Sequence, residues 1–446
     1  IIRLFYLQVV ENDYKAWADS NVFLKKTLLP SRGMIYDRND NLLVYNQPAY
    51  DVMLIMREIQ PFDTLDFCNI LSITKEQFEK RIAEIKKRRL NPGYSSYVPQ
   101  VFMNHLSAQE CGILQEKLYK FPGFYIQNRT IRQYEYPYAA HVLGNIGQVN
   151  RKDIEADDYY VQGDDSGRAG VERSYEKQLR GEKGVEILLR DVHGRIKGKY
   201  DDGASDVAPV SGKNLKLSLD INLQAYGEKL MKNKVGSIVM IEPETGEVLC
   251  LVTSPNYDPS LLVGRQRGKN HRMLEENPQT PLIDRSITGF YPPGSTFKPT
   301  QGLIFLQEGV ITPSTMYTCA HGYTYSIKRK PACHGHASPL SLVPALATSC
   351  NSFFCWGLHD MLDNRRRYPT VQEGFEVWKN HLVSMGYGYP LGIDLPGEKR
   401  GYIPNSKVYD KLHRRWNSST IISIAIGQGE ISATPLQICN LAATIA

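Results

Sequence analysis

A serine and a lysine three residues apart mark a segment whose chemistry can be derived from residue types. Ser295 and Lys298 stand in the run Tyr-Pro-Pro-Gly-Ser-Thr-Phe-Lys-Pro, residues 291–299. Residues three apart share one face of a helix, so the lysine amine can reach the serine hydroxyl. A serine is a weak nucleophile until a neighbouring base takes its proton, and a desolvated lysine can be that base. The pair therefore predicts an acyl-transfer serine whose base is Lys298.

The spacing alone is a weak signal, because two other pairs in the chain share it. Ser72 with Lys75 and Ser174 with Lys177 have the same separation. Both pairs lie in strongly charged stretches, so we interpret them as exposed helix residues. Ser295 differs in its setting, since a serine at a helix N-terminus sits at the positive end of the helix dipole, which favours a developing oxyanion.

A second motif further along the chain supports the first. Ser349 and Asn351 flank a cysteine in a Ser-Cys-Asn triplet. Ser349 could relay a proton between Lys298 and a leaving group, and the Asn351 amide could hold a peptide carbonyl. The alternative is a polar helix start before an apolar run, and the Ser-Pro-Asn run at 254–256 shows that the triplet alone is common. We interpret Cys350 as a packing residue.

Together the two motifs match the serine enzymes that react with penicillin. The chain resembles the class B penicillin-binding proteins, and among them the subfamily of the rod-elongation machinery. The resemblance extends over nearly the whole chain. Segments that carry it, besides 291–299, are 32–38, 140–144, 167–176, 392–398, 427–429 and 434–437.

The resemblance implies a peptidoglycan D,D-transpeptidase that acts in cell elongation and maintains cell shape. Ser295 is expected to attack a terminal D-Ala-D-Ala and form an acyl-enzyme, which an amine of a neighbouring stem peptide then takes over. Lys298 and Ser349 are the expected proton carriers, and Asn351 is expected to bind the substrate. The backbone N–H of Ser295 is expected to form half of an oxyanion hole, and β-lactam antibiotics to acylate the same serine.

The resemblance also implies a location and partners. We expect an anchor in the bacterial inner membrane, with the catalytic domain in the periplasm, and a glycan polymerase of the SEDS family among other elongation-complex proteins. The first residues, Ile1–Val10, are too short an apolar run to span a bilayer. The run could be the last turns of a membrane helix or an apolar start to a soluble helix. The resemblance favours the first, so we expect residues 1–30 to be a juxtamembrane segment and linker that follows a membrane helix absent from this chain. Acyl transfer through serine needs no cofactor.

One departure from the family concerns its third motif, Lys-Thr/Ser-Gly. Lys26-Thr27 is followed by Leu28, and Lys399-Arg400-Gly401 lies in the wrong context. We expect the C-terminal strands that carry the motif to be missing from this chain. For that reason we expect the chain by itself to be poorly active or inert.

The elements that must position these residues are those of a globular protein. A length of 446 residues predicts two or three domains, and 42% hydrophobic with 22% charged residues is ordinary globular composition. The net charge of +6 comes without a Lys/Arg-rich block, so we expect no nucleic-acid partner.

The pattern along the chain predicts an α+β protein. The resemblance implies a penicillin-binding-type transpeptidase domain, with an antiparallel sheet flanked by helices, preceded by an elongated β-rich pedestal (a dimerisation-type module) with a small helical head. The predicted domains are 1–30, then 31–212 with the head near 60–120, then 213–446 as a C-terminally incomplete transpeptidase domain. The elements on which this rests are a hairpin over 31–43, helices over 72–90 (after Ser72 as a cap), 107–119 and 223–231, a β-rich stretch over 120–215, a strand over 214–219 and a hairpin over 236–253.

A group of cysteines and histidines admits three interpretations. Cys319, Cys333, His334 and His336 could hold a structural zinc, Cys319 and Cys333 could form a disulfide, or the residues could be unpaired near a cleft rim. Because the spacing fits no standard zinc-finger pattern, the sequence favours no metal.

Two rival functions stay open at this point. A β-lactamase or D,D-carboxypeptidase would use the same residues but pass the acyl group to water, and the large N-terminal module argues against it. A non-catalytic scaffold or activator of a cell-wall polymerase would keep binding and lose turnover, and the intact Ser295, Lys298, Ser349 and Asn351 argue against that.

Overall fold

The structure is a computed structural model that describes residues 23–87, 91, 94–190, 196–325 and 331–446. Most of the expected juxtamembrane segment, residues 1–22, lies outside the described residues. Within the described ranges, no helix is both long enough and apolar enough to cross a bilayer.

Helices and short sheets alternate along the chain. The strands are β1 Phe23–Leu28, β2 Ile35–Tyr36, β3 Leu42–Leu54, β4 Gln100–Leu106, β5 Phe124–Tyr134, β6 Asn145–Gln148, β7 Asp165–Ala169, β8 Gly184–Arg190, β9 Ile196–Lys199, β10 Leu215–Lys216, β11 Gly236–Ile241 and β12 Val248–Ser254. The α-helices are α1 Thr64–Ile70, α2 Lys75–Lys86, α3 Ala108–Lys117, α4 Ala140–Leu143, α5 Arg151–Ala156, α6 Gly170–Ser174, α7 Glu176–Leu179, α8 Ile221–Leu230, α9 Arg267–Glu275, α10 Arg285–Thr288, α11 Lys298–Gln307, α12 Leu342–Ala347, α13 Asn351–Leu362, α14 Val371–Ser384, α15 Ser406–Leu412 and α16 Pro435–Ile445.

The described contacts divide the chain into two compact units. Unit 1 comprises residues 1–217 and 257–280, and unit 2 comprises residues 218–256 and 281–446. The segment 257–280 therefore leaves unit 2 after β12, packs with unit 1, and returns before the Ser295 segment. The predicted division at residue 213 stays a prediction.

Unit 1 is organised around the long strand β3. It pairs antiparallel with β2, β4 and β5, and β10 adds to β2 in parallel. The β2–β3 pairing encloses the Asp37–Asn41 turn, where the Asp37 carboxylate accepts the amides of Asn39 and Asn41 at 2.8 Å each. This is the hairpin that the sequence predicts over 31–43.

Helices α1, α2 and α3 pack with the second half of β3 around one hydrophobic core, and we call this group the head of unit 1. Their shared core is aromatic, with Phe67, Phe102 and Phe121 nearly inaccessible to solvent. Helix α2 begins after Thr74, whose side chain accepts the Gln77 amide, so the expected cap at Ser72 is wrong by two residues. Thr74 is followed three residues later by a glutamine that completes a capping box, which makes it the better cap.

A buried ion cluster joins three distant parts of unit 1. Glu172 has no solvent exposure and accepts from Arg32 Nε at 2.7 Å and from Arg132 Nε at 2.8 Å. Glu176 also pairs with Arg32. Burial by itself would raise the pKa of Glu172, but the two arginines outweigh burial and hold its pKa below the ordinary value. The cluster connects the chain before β2, strand β5 and helix α6.

Unit 2 combines a two-stranded sheet with a helical core. β11 and β12 form the predicted antiparallel hairpin, with α8 packed on β12 and α16 on β11. The core lies among α11, α13 and α14 and includes Phe305, Phe353 and Trp378, all inaccessible to solvent. Helix α11, which begins at Lys298, therefore packs against a buried core.

We predict that Glu172→Gln destabilises unit 1 by about 3–5 kcal/mol, because Arg132 would stay buried without a carboxylate partner and Arg32 would keep only Glu176. Hydrogen exchange of the β3 and β5 amides reports the opening free energy of unit 1 alone. The control is Glu155→Gln, whose pair with Arg151 is exposed and is worth less than about 1 kcal/mol.

The effect should depend on pH with a definite sign. A carboxylate whose pKa is lower in the folded state than in the unfolded state stabilises the fold at pH values above the unfolded-state pKa. That stabilisation is lost as the pH falls through the folded-state pKa. The difference in opening free energy between wild type and Glu172→Gln should therefore become smaller as pH falls below the ordinary glutamate pKa. Equal protection of wild type and variant at pH 7 would contradict this account.

Candidate functional site

Ser295 lies on one turn of 3₁₀ helix, Gly294–Phe297, directly before α11. Gly294 has a φ of +59°, which glycine adopts without steric cost. The Gly294 amide donates to the Gly427 carbonyl at 2.8 Å. Ser295 itself is exposed. The turn thus presents a serine to solvent while its first residue is held by a second segment of unit 2.

Gly427 is the position where the second segment needs glycine. Its φ is +68°, and a Cβ placed there would lie 2.4 Å from the Gly294 carbonyl oxygen and 2.7 Å from the Phe297 Cβ. Both distances are below ordinary contact, so a side chain would push the Ser295 turn away. This lack of space explains why the first residue of the Gly-Gln-Gly run, Gly427, is a glycine.

Lys298 is almost completely buried, with 1% of its surface exposed. Its Nζ donates to the Ser349 carbonyl at 2.7 Å, to Ser349 Oγ at 2.9 Å and to Asn351 Oδ1 at 2.6 Å. The ring of Phe354 lies 5.7 Å from the amine. Three acceptors match the three N–H groups of an ammonium.

Ser349 links the lysine to the candidate nucleophile. Its Oγ accepts from Lys298 Nζ and donates to Ser295 Oγ at 3.0 Å. The hydrogen-bonded link between lysine and nucleophile therefore passes through Ser349, and the relay role of Ser349 stays a prediction. Four sequence-predicted residues, Asn351 included, meet at one place.

The backbone at Ser349 is held in an unusual conformation. Its φ is +51°, a left-handed value that costs a non-glycine residue on the order of 1–3 kcal/mol and is concentrated at functional sites. Ser349 lies between α12 and α13, where the chain must turn sharply, and its amide donates to Leu346 O at 3.0 Å. The turn points both oxygens of Ser349 at Lys298.

Burial lowers the pKa of Lys298, and the nearby thiols of Cys333, Cys350 and Cys355 oppose that shift only in part. A buried amine resists holding a charge because it has lost its water. The environment therefore moves Lys298 toward the neutral form that a general base requires.

Asn351 is the first residue of α13 and uses both ends of its amide. Besides accepting from Lys298, it donates through Nδ2 to Ala332 O at 2.7 Å. The side chain thus ties the lysine to the segment that contains Cys333. The expected contact of Asn351 with a substrate carbonyl stays a prediction.

A second group of reactive side chains lies beneath the Ser349 turn. Cys319, Cys333, His336 and Cys350 each offer one donor atom, and these atoms lie within 4.8 Å of one another. The Sγ atoms of Cys333 and Cys350 are 4.0 Å apart. All eight cysteines fall within the described residues, and each is a free thiol, so the structure does not contain the Cys319–Cys333 disulfide that the sequence left open.

The donor set suits zinc. Structural zinc is tetrahedral and commonly takes three cysteines and one histidine, with Zn–S bonds of about 2.3 Å, which puts the sulfurs about 3.8 Å apart. The Cys333–Cys350 distance is close to that value. His334, the remaining sequence candidate, faces away, with its Nε2 3.0 Å from Thr348 O.

The thiol group and the serine site share a backbone segment. The Cys333 Sγ accepts the amides of Asn351 at 3.1 Å and Ser352 at 3.3 Å, at the start of α13. Cys350 separates Ser349 from Asn351 in sequence. Anything bound by the thiols would therefore brace the turn that holds Lys298.

Sequence reasoning assigned Cys350 to packing and missed its place in the donor set. The available signal for a role of Cys350 in metal binding was its place between two candidate site residues, Ser349 and Asn351. It was not decisive, because three separate segments supply the donors and only the fold brings them together.

Comparison with known families agrees with this architecture. Residues 27–217 match the family described as Penicillin-binding Protein dimerisation domain, and residues 236–446 match the family described as Penicillin binding protein transpeptidase domain. These matches, with the structural likeness below, confirm the predicted α+β transpeptidase-type fold.

The chain is similar to curated proteins named peptidoglycan D,D-transpeptidase MrdA. It is 32% identical to the Acinetobacter baumannii protein, over 100% of this chain and 64% of that protein. It is 31% identical to the Escherichia coli K12 protein, over 98% of this chain and 68% of that protein. The chain thus spans about two thirds of the length of these relatives.

A solved structure shows the same fold. The penicillin-binding protein PBP2 of Helicobacter pylori, determined in complex with MreC, superposes with a TM-score of 0.76 at 27% identity. The match covers 93% of this chain and 76% of that one.

We predict that the Cys319, Cys333, His336 and Cys350 set binds one zinc ion per chain, in contrast to the sequence prediction of no metal. Titration of metal-free, reduced protein with Co²⁺ should give thiolate charge-transfer absorption, which Zn²⁺ abolishes. Cys333→Ser should remove that absorption, and Cys439→Ser, outside the set, should leave it unchanged. Absence of the band in wild type would contradict the prediction.

Proposed function

The chain belongs to the family of peptidoglycan D,D-transpeptidases named MrdA, and from that premise we propose that it cross-links peptidoglycan stem peptides through an acyl-enzyme on Ser295. The hydrogen-bonded series Lys298–Ser349–Ser295 is the observation that carries the proposal. It places a desolvated amine two hydrogen bonds from an exposed hydroxyl, as a serine acyltransferase requires.

In the first step Ser295 Oγ attacks the carbonyl carbon of the penultimate D-Ala residue. Its proton passes to Ser349 Oγ as the Ser349 proton passes to neutral Lys298 Nζ, so Lys298 becomes an ammonium. The ammonium is then held by the Ser349 carbonyl and Asn351 Oδ1, the acceptors that already surround it.

In the second half of that step the peptide C–N bond breaks and D-Ala leaves with a proton returned from Lys298 through Ser349. An acceptor amine then attacks the ester carbonyl and loses a proton to Lys298 through Ser349. As the ester C–O bond breaks, that proton returns through Ser349 to Ser295 Oγ, and the free serine is regenerated. The Ser295 backbone N–H is the proposed first donor to the oxyanion, a contact worth a few kcal/mol of barrier in related chemistry.

The family's location and partners are proposed for this chain as well. We place its catalytic unit in the periplasm of a cell whose inner membrane anchors the protein. A glycan polymerase of the SEDS family is the proposed partner in elongation. An MreC-type protein is a second proposed partner, supported by the PBP2–MreC complex of the similar Helicobacter pylori protein.

A hydrolase is the main rival, because water could replace the acceptor amine at the same ester. A scaffold is the second rival, in which substrate binds without bond formation. The buried Lys298 argues against a scaffold, since burying an amine is costly in either protonation state and a scaffold would not need it.

We predict that a reactive β-lactam adds its mass to the protein at Ser295. Intact mass spectrometry should be done on this chain and on a version extended at its C-terminus to the length of the family. Ser295→Ala should abolish the gain, and Ser174→Ala, from a pair with the same spacing, should not change it. No gain on either wild-type chain would contradict the transpeptidase and favour the scaffold.

We predict that the acyl group goes to amines in preference to water. With a D-Ala-D-Ala stem-peptide donor and an excess of acceptor amine, the extended chain should release D-Ala and form the amide-linked product. The ratio of amide to free acid, measured by mass spectrometry, should rise with acceptor concentration. Free acid alone at every acceptor concentration would identify the hydrolase.

A further inference from the structure

Gln301 is a fully buried polar residue on α11, one turn after Lys298. Its Oε1 accepts from Trp378 Nε1 at 2.8 Å, and its Nε2 donates to Ile424 O at 3.2 Å. A buried amide is unfavourable unless its polar groups are paired. Both ends of this amide are paired, and each contacts an element far away in sequence.

The Ile424 end of this bridge leads back to the nucleophile. Ile424 lies in the 3₁₀ helix Ile422–Ile426. The Gly427 amide donates to Ile424 O at 3.1 Å, and Gly427 O accepts the amide of Gly294 at 2.8 Å. Gly294 is the residue directly before Ser295.

These bonds close a ring through the active segment. The ring runs from Gln301 to Ile424, to Gly427, to Gly294, and returns along the chain through Ser295 and Lys298 to Gln301. Ser295 is on the 3₁₀ turn and Lys298 begins α11, so the angle between turn and helix sets the position of the hydroxyl. The ring constrains that angle at both ends.

The other end of the amide accepts from Trp378, a residue outside the ring of hydrogen bonds. Trp378 lies on α14, and its indole packs edge-on to Phe297 of the Ser295 turn with centroids 6.4 Å apart. The indole N–H satisfies Gln301 Oε1 and leaves Nε2 directed at Ile424. Only the Nε2 end belongs to the ring of hydrogen bonds, and a phenylalanine at position 378 would keep an aromatic side chain against Phe297.

From this geometry we infer that Gln301 is a positioning residue for acyl transfer, which holds Ser295 Oγ within reach of Ser349 through Ile424, Gly427 and Gly294. The inference rests on the proposed function. Gln301 touches neither Ser295 nor substrate, and acts through the backbone of the second segment. A misplacement of about 1 Å in a reacting group can lower a rate about 100-fold.

The test measures β-lactam acylation by stopped flow and separates the pre-acylation binding constant from the first-order acylation rate. Gln301→Leu, of similar size, removes both hydrogen bonds. We expect its first-order rate to fall about 10- to 100-fold, with the binding constant changed by less than about twofold, because the cleft itself is untouched.

Two further variants divide the effect. Gln301→Met, unbranched like glutamine, has no donor for Ile424 O, so its rate should fall like that of Gln301→Leu. Trp378→Phe leaves the Ile424 bond in place, so it should lower the melting temperature and keep the acylation rate within about threefold. Gln301→Met also serves where Gln301→Leu does not fold.

The chain offers a matched control in Gln224. It is equally buried, and its amide pairs with the backbone of Leu251, donating at 3.0 Å and accepting at 2.9 Å. It joins α8 to β12 and has no bond to the Ser295 segment. Gln224→Leu should therefore lower the melting temperature and leave the first-order acylation rate unchanged.

The outcomes separate this inference from the proposed function. All variants are made in whichever wild-type chain, this one or the C-terminally extended one, is acylated. If neither is acylated at Ser295, the proposed function fails and the inference fails with it. If wild type is acylated and Gln301→Leu or Gln301→Met reacts at the wild-type rate, only the inference is overturned. An equal loss of rate in Gln224→Leu would also overturn it, because the effect would then be a general result of destabilisation.

Discussion

Lys298 carries its amine into a site that water hardly reaches, and an ammonium there must find hydrogen-bond acceptors or give up its proton. The acceptors come from one short turn, which supplies the Ser349 carbonyl, Ser349 Oγ and Asn351 Oδ1. The need to pair the Lys298 amine explains two features of unit 2, the conformation of this turn and the packing of the helices on either side of it. The turn needs a left-handed residue between α12 and α13, and both helices need a core that keeps the turn from relaxing.

The same arrangement explains how one site can hold a charge and also release it. Burial lowers the pKa of Lys298, and the nearby thiols of Cys333, Cys350 and Cys355 oppose that shift only in part. A proton can move from Ser295 through Ser349 to neutral Lys298 once the two hydroxyls rotate to donate in that direction, because the heavy atoms are already at hydrogen-bond distance. The site is prepared before a substrate arrives, which is the condition for efficient general base catalysis.

Ser295 and Lys298 are held from different directions. The Ser349–Asn351 turn fixes the lysine, while Gly427 fixes the start of the serine turn. The thiols of Cys333 and Cys350 lie under the first of these supports. The nucleophile therefore stays exposed, although every element that positions it is anchored in the core.

The sequence was sufficient for features that depend on local spacing, namely the Ser-x-x-Lys and Ser-x-Asn motifs and the β11–β12 hairpin with its apolar runs and turn. The structure brings the two motifs together, and the catalytic roles of Ser295, Lys298, Ser349 and Asn351 stay proposals. Features that depend on tertiary contact were not predictable in the same way. The proximity of Cys350 to Cys319 needs three segments to converge, and the packing of 257–280 with unit 1 leaves no periodic signal. The helix start at Thr74 was missed because Ser72 is also a good cap type, and only the partner Gln77 distinguishes them.

The central claim is that Lys298 and Ser349 act as one proton-transfer unit on Ser295. A double-mutant cycle on the first-order β-lactam acylation rate tests it most directly, with Lys298→Ala, Ser349→Ala and the pair together. Each single change should lower the rate about 10²- to 10⁴-fold. The account predicts that the double variant is about as slow as the slower single variant, since members of one unit are non-additive. Losses that multiply would contradict it, because Lys298 and Ser349 would then act independently.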